Sequence, residues 1–375
     1  MPLVTRLRAN LRLARQLYQR LRARGHARLG TLLWRLPLLA ALRAYRKLAQ
    51  AANDGPLMRR ATVARFRRFQ ASLASQEGGH FYIIVMPHTL HFLLPCLQLV
   101  ARDVRVLLLL NGARRWEAEL LRARWPDLPQ FRVATLPNSS VGHGAMINLL
   151  LRHNEHDFGL LDHDLYLFDT AVLKRLRFAD KEFLLCLLGD SSADGKWTYP
   201  LTHFLYFRMA EFRRLMQGYG VGAQMYRQVP EPARSRLRAL GLRAGETLKS
   251  HHDFFDTLHV LLALAYADGL AVAQLKLAAD DGVCHIGGTS LGSHHTKELV
   301  QLYTHLRFLD LAQEPLLRRR YAVLAAPFTT ALELCLHLPA TAPVLQQVAM
   351  VDALLERLQC SLAGERQAAG LGSSG

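Results

Sequence analysis

From Gly78-Gly79 onward, short apolar runs alternate with amphipathic stretches. HFYIIVMP (His80–Pro87) is a β-type run closed by proline, and Leu93–Ala101 has helical spacing. VRVLLLL (Val104–Leu110) predicts a second strand ending at Asn111-Gly112, with a helix to follow over Arg114–Arg124. FRVATLP (Phe131–Pro137) predicts a third strand, Gly144–His153 a helix, and Phe158–Leu161 a fourth strand stopped by Asp162. Strands that are apolar throughout and alternate with helices indicate a mostly parallel sheet covered on both faces. In such sheets ligands gather at the carboxyl ends of the strands. Those ends are Pro87-His88, Asn111-Gly112, Pro137-Asn138 and Asp162-His163-Asp164.

Further along, Glu182–Leu188 and Thr198–Arg208 read as strands, Met209–Tyr219 as a helix, and Gly220–Lys249 as a basic, loop-rich flap. Phe255–Gly269 reads as a helix, Ala271–Leu277 as a short strand, and Cys284–Ser293 as a Gly/Ser turn. The pattern divides the chain into an Arg-rich helical arm (1–78), an α/β domain (79–295), a helical C-terminal region (296–362) and a flexible Gly/Ser/Ala tail (363–375). The sequence carries no internal repeat.

Charge sharpens the first boundary. Of 47 Lys+Arg and 30 Asp+Glu in 375 residues, residues 1–78 hold 17 of the basic groups and only Asp54 and Glu77 of the acidic ones. The remainder, with 30 basic and 28 acidic groups, is nearly neutral at +2, so +15 of the net charge of +17 belongs to the arm. In the arm, Leu7, Leu11, Ala14, Leu17 and Leu21 recur at helical spacing with arginines between them, and Met58–Leu73 repeats the pattern. Basic amphipathic helices suit an anionic membrane surface; a protein-docking arm shares the pattern, and a transit peptide shares the composition. Nucleic acid is the least favoured partner, because the body lacks the spread of charge such binding uses.

Five separated cysteines without a CxxC pair support neither a zinc ribbon nor a disulfide framework. The N-terminus lacks the apolar core of a secretory signal, and no apolar run is long enough to span a bilayer. The expectation is a cytoplasmic protein that rests at the inner face of a membrane through its arm.

Chemistry concentrates at the fourth strand end. FGLLDHDLYLF sets Asp162 and Asp164 just beyond a buried strand, where paired carboxylates suit a hard divalent cation that also takes phosphate oxygens. Asp-x-Asp also occurs in solvated turns, so the surrounding order matters. Residues 80–290 resemble the nucleotide-sugar domain of GT-A glycosyltransferases, especially the family 2-like group. The elements are Val85-Met86-Pro87-His88-Thr89 after the first strand, Asn111-Gly112 after the second, PNSSVGHGAMIN with Asn138, Gly142, Gly144, Ala145 and Asn148, and then Asp162-His163-Asp164. Asn111 stands where many relatives have an aspartate on uracil or ribose, and His88-Thr89 replaces their aromatic-Asn pair.

The resemblance implies a glycosyltransferase that moves a sugar from a nucleotide-sugar donor to a hydroxyl of a glycan or lipid-linked acceptor, with inversion, in polysaccharide biosynthesis. It implies Mn²⁺ or Mg²⁺ held by Asp162 and Asp164, with His285 of VCHIGGTS completing the shell. Pro87, His88, Asn111, Asn138, Gly142, Gly144, Asn148 and Asp162 would line the nucleotide-sugar pocket. It also implies a general base ahead of the apolar helix in SHHDFFDTLHVLLALAYADG, either Asp253 or Asp256; Asp256 before Thr257 equally reads as a helix cap. Two other classes are open. A non-catalytic GT-A-like scaffold would use the arm to hold membrane or partners. A haloacid-dehalogenase-like phosphatase would pair Asp162-x-Asp164 with GDSSAD (Gly189–Asp194), although the interval between the motifs is too short for its intervening units.

Overall fold

The computed structural model describes residues 41, 44–45, 47–73, 80–137, 139–191, 198–242, 255–278, 282–287, 289, 299–325, 330–336, 338 and 341–368. Two compact units share the chain: Gln50–Val85 with Leu99–His285, and Met86–Gln98 with Ile286–Gly375 and Met1–Ala49.

In chain order the elements that build the larger unit are α1 (Pro56–Ala71), β1 (His80–Val85) and, after α2 (Leu90–Val100), β2 (Arg105–Leu110), α3 (Arg115–Arg124) and β3 (Gln130–Arg132). They continue as α4 (His143–His153), β4 (Phe158–Leu161), β5 (Leu165–Leu167), β6 (Glu182–Cys186), β7 (Gly189–Ser191), β8 (Thr198–Pro200) and β9 (Phe204–Phe207). The last are α5 (Met209–Tyr219), α6 (Ala233–Ala239), α7 (His259–Ala267), β10 (Ala271–Gln274) and β11 (Val283–His285). Seven strands form one sheet in the order β10-β6-β9-β4-β1-β2-β3. β1 pairs in parallel with β2 and β4, β2 with β3, and β10 with β6. Every residue of β1 and β2 after the first is buried, as expected of strands covered on both faces.

One strand breaks the parallel rule. β9 runs antiparallel between β4 and β6, with Leu161 opposite Phe204 and Phe158 opposite Phe207. The single strand predicted over Thr198–Arg208 divides here: β8 pairs with β7 in a separate two-stranded sheet, and the chain bends before entering the main sheet as β9. The third strand is shorter than the apolar run suggests. Val133 still donates to Leu110 O, but Leu136 N–H turns to the Asn53 side chain, so the ladder ends. At β4, Gly159 allows the Phe81 ring to lie against the backbone, since a Cβ there would stand 1.9 Å from that ring.

Helix α1 explains its own composition. Arg59, Arg60, Arg65, Arg67 and Arg68 lie outward, while Thr62 and Phe66 are buried. Phe66 meets Phe131 edge-on at 5.1 Å and Tyr82 at 6.2 Å, and Gln70 donates to Asn154 Oδ1, which also accepts the Tyr82 hydroxyl. This arginine-rich helix therefore packs within the same unit as the sheet. The earlier helix expected within residues 1–24 lies outside the described residues.

The smaller unit is helical: α8 (Leu299–Ala312), α9 (Pro315–Ala325), α10 (Ala331–Cys335) and α11 (Ala342–Ala368). Leu302, Tyr303, Leu306 and Leu334 form its core, and Asp352 of α11 accepts hydrogen bonds from Tyr303 and Arg307 of α8. His91 and Phe92 pack here, against His305 and Phe308. Helix α11 continues past Leu362, where a flexible tail was expected, to Ala368. Among the described residues no helix is long and apolar enough to cross a membrane.

Candidate functional site

The register of two short strands assembles the site. Asp162 N–H donates to His203 O, extending the β4–β9 ladder by one rung beyond Leu161. The chain then turns through His163, with Leu165 N–H returning to Asp162 O, and enters β5. β5 pairs antiparallel with β11, placing His285 opposite Leu165, one residue beyond Asp164. His285 Nε2 comes to lie 3.3 Å from Asp164 Oδ1 and 3.6 Å from Asp162 Oδ2. One ligand atom from each of Asp162, Asp164 and His285 lies within 4.8 Å of the others, the one such group among the described residues.

Burial gives the cluster its electrostatics. The Asp164 side chain is 4% exposed. Asp162 is pushed up to about 7, first by desolvation and then by the charge of Asp164, with His285 offsetting part of it. Burial alone would lower the His285 imidazole, but the hydrogen bond and charge of Asp164, with the charge of Asp162, hold it above its ordinary value. Two crowded carboxylates beside one imidazole form an electrostatic sink for a cation. Oxygen and imidazole donors of this kind fit a hard or borderline divalent ion.

These shifts predict a pH dependence for the metal-free protein. The folded Asp162 and His285 both titrate above their unfolded values, so the folded state binds more protons through the acid-to-neutral range. Their contribution is complete below pH 4 for Asp162 and is lost as pH rises through 7. The melting temperature of chelator-treated protein should therefore fall by several degrees between pH 5 and pH 8, and Asp162→Asn should flatten that fall. A divalent cation should restore stability more strongly at pH 8 than at pH 5, because protons compete for the same oxygens. A scan that is flat in wild type and variant alike would contradict the shared-proton cluster.

The glycine-and-asparagine segment before the aspartates makes contacts of its own. The Asn111 amide is used twice by Val141, donating to its carbonyl at 2.9 Å and accepting its N–H at 2.8 Å. On the other side of this loop, Asn53 donates to Ser139 Oγ and Ser140 O and accepts from Leu136 N–H. Gly142 N–H donates to Asp54 Oδ1 at 3.4 Å. Gly144 allows the first turn of α4 to sit against residues 223–224, where a Cβ would stand 2.8 Å from Gln224 Cα. One turn on, Asn148 accepts from Ala223 N–H at 2.6 Å and donates to the Gln224 side chain. The loop it holds in turn accepts Leu258 N–H at Ala223 O and exchanges backbone bonds between Tyr226 and Phe255. Asn111 and Asn148 thus hold backbone, and Asn148 fixes the segment that carries Asp256. The first part of the predicted flap, residues 222–226, is held this way, and α6 follows it.

The other predicted site residues divide as follows. Asp256 lies just before α7; its Oδ1 accepts Thr257 N–H, while Leu258 occupies the capping position with φ 68°. Asp253 and Asn138 lie outside the described residues. Pro87 and His88 belong to the smaller unit, where His88 has φ 63° and meets Tyr321 edge-on at 5.5 Å. Asp190 of the phosphatase-like GDSSAD motif lies on β7, in the separate two-stranded sheet. His203 went unrecognised in the sequence. It is buried, its carbonyl takes the Asp162 amide, and its ring stacks on His285 at 4.5 Å and 24°. Its only signal would have been its place at the entry to an apolar run, which does not reveal an antiparallel neighbour.

Residues 57–211, from α1 through the start of α5, match the family described as the StrH glycosyltransferase N-terminal domain. Residues 57–211 thus resemble a glycosyltransferase domain, in keeping with the GT-A resemblance of the motifs they contain and with the mixed, mostly parallel sheet. Among solved structures, the glycosyltransferase GlyE of Streptococcus pneumoniae is 14% identical, with a TM-score of 0.32 over 54% of this chain; the chain spans 46% of that protein. TarS of S. aureus, residues 1–349, is 12% identical with a TM-score of 0.31, covering 78% of this chain and 92% of that one. HddC of Yersinia pseudotuberculosis is 12% identical with a TM-score of 0.27, covering 36% of this chain and 80% of that one. No curated protein matches the chain.

Proposed function

We propose that the protein transfers a sugar from a nucleotide-sugar donor to a hydroxyl group of a glycan or lipid-linked acceptor, with inversion. The observation that carries this reading is the convergence of Asp162, Asp164 and His285 at the end of β4, within a chain whose residues 57–211 match a glycosyltransferase domain. Those three side chains would hold Mn²⁺ or Mg²⁺, which when bound supplies positive charge to the departing nucleoside diphosphate. The residues' own work is geometric and protonic. His203 stacks on His285 and fixes its ring, as a supporting residue commonly fixes a liganding imidazole. Asn111 and Asn53 hold the loop between β3 and α4 from two sides. The Gly144–Asn148 contact with residues 223–224 fixes the approach to α7.

In this reading the acceptor oxygen attacks the anomeric carbon, the bond to the diphosphate oxygen breaks, and the acceptor proton passes to a carboxylate, Asp256 or Asp253. A single displacement of this kind inverts the anomeric centre. The basic residues of the arm, including those on the outer face of α1, would keep the enzyme at an anionic membrane surface where lipid-linked acceptors are made.

The test is a thermal-shift screen against UDP-, GDP-, CMP- and dTDP-sugars with and without Mn²⁺, repeated on Asp256→Asn. One donor should raise the melting temperature in a metal-dependent way. Asp256→Asn should bind that donor as wild type does but transfer about 100-fold more slowly, if it is the base. A cooperatively melting protein that responds to no donor would sink the reading and favour a scaffold.

A further inference from the structure

The outer edge of the sheet carries a second feature, distinct from the Asp162–Asp164–His285 cluster. β3 is the last strand in the order, and between it and α3 lies a groove of about 380 Å³. Leu110 contributes to its lining, and Arg115, Glu119 and Arg122 of α3 face Gln130 and Arg132 of β3 across it. Positions 115, 119 and 122 share one helical face, and 130 and 132 share one strand face, so both patterns converge on the groove. Glu119 is paired with Arg115 at 2.7 Å, which leaves a net positive lining. The Gln130 amide has both its nitrogen and its oxygen buried without a hydrogen-bond partner among the described residues. A buried amide with both ends unsatisfied destabilises a fold unless something outside the chain completes it.

We propose that this groove binds an acidic sugar unit, one carrying a carboxylate or phosphate beside free hydroxyls, as found in an anionic glycan. The chemistry of the amide selects the class. Arg122 and Arg132 supply the planar, multiply donating guanidinium groups that recognise carboxylate and phosphate. A fully deprotonated anion such as sulfate would satisfy those arginines and the Gln130 N–H groups but would leave Gln130 Oε1 without a donor. A sugar hydroxyl both accepts and donates, so an acidic sugar satisfies the amide and the arginines together. The inference extends the glycosyltransferase reading by giving the chain a holding site for an acceptor polymer. The binding itself requires no donor and no transfer.

The test follows the Gln130 side-chain amide resonance by NMR, assigned by its disappearance in Gln130→Leu. The probes are glucuronic acid, glucose 6-phosphate, glucose and sulfate. The two acidic sugars should shift the resonance saturably, and an Arg122→Ala/Arg132→Ala variant should weaken them at least tenfold. Glucose and sulfate should each bind at least tenfold more weakly than the acidic sugars. Read by calorimetry with the same probes, Gln130→Leu should lose acidic-sugar binding while melting about 2–4 °C higher, since it removes an unsatisfied buried amide. Equal binding of sulfate and glucose 6-phosphate would overturn the assignment to a sugar. So would no response to any probe, or binding unchanged in the double variant. Vesicles of phosphatidylglycerol captured through the same arginines, with no acidic-sugar binding, would also overturn it. Acidic-sugar binding in a protein that recognises no nucleotide sugar would retain the groove and remove the transferase reading.

Discussion

Asp164→Asn should abolish metal-dependent behaviour while leaving the fold intact. The side chain is 4% exposed, and the amide is nearly isosteric with the carboxylate, so the loss is one of charge and not of packing. The substitution removes an anionic oxygen 3.3 Å from His285 Nε2 and leaves Asp162 as the only carboxylate of the cluster. Mn²⁺ affinity, read by calorimetry, should fall by at least about 100-fold, and transfer or donor hydrolysis by about 100- to 1,000-fold, the scale typical of a lost electrostatic contact in a transition state. Asp162→Asn should also weaken metal, but the two variants should differ without it. Asp162 is the group that burial pushes up to about 7, so neutralising it should raise the melting temperature of the metal-free protein at pH 8. Retention of near-normal Mn²⁺ affinity in both variants would remove the metal centre from this site.

The aspartates were legible because a buried four-residue run ends abruptly in two carboxylates, a pattern that depends only on neighbours in sequence. His285 was reached by resemblance alone. Its own segment, Val283–His285, is half-buried and three residues long, so neither apolar period nor length announces a strand. What makes it one is pairing with β5, more than a hundred residues earlier in the chain. The segment Asn138–Asn148 was also visible by spacing, but its partners were not. Spacing cannot say that Asn111 would be used by the Val141 peptide, or Asn148 by Ala223 and Gln224, because those contacts arise only when the sheet and α4 bring distant loops together. The antiparallel β9 was missed for a related reason. FLYF is as apolar as its parallel neighbours, and direction is a property of the connection, not of the run. The arm shows the opposite effect. Five arginines dominate α1 in any reading of charge, while the two buried positions that dock it, Thr62 and Phe66, are a small minority of its residues.

That docking leads to the second large effect. Deletion of residues 1–78 should not yield a separable α/β domain; it should yield protein that aggregates or melts without cooperativity, whereas deletion of residues 1–40 should leave a cooperative fold. Removing α1 strips Phe66, fully buried, from its contacts with Phe131 and Tyr82, and leaves the hydroxyl partner Asn154 without Gln70. The deletion of residues 1–78 also removes Asn53, which precedes α1, is 2% exposed and meets the loop ahead of α4 at Leu136, Ser139 and Ser140. Losing the Phe66 ring alone, as in Phe66→Ala, should cost about 3–5 kcal/mol. The Asn53 contacts add about 1 kcal/mol each where they are buried. Together these approach the whole stability of an ordinary domain, about 5–15 kcal/mol. Liposome pelleting separates the two roles of the basic segment. If the outward arginines of α1 hold the membrane, charge reversal at Arg60 and Arg67 should abolish pelleting while the melting temperature moves by less than about 2 °C, because exposed charges contribute little to the fold. A shorter deletion that melts like the longer one would show instead that the packing of α1 does not carry the domain.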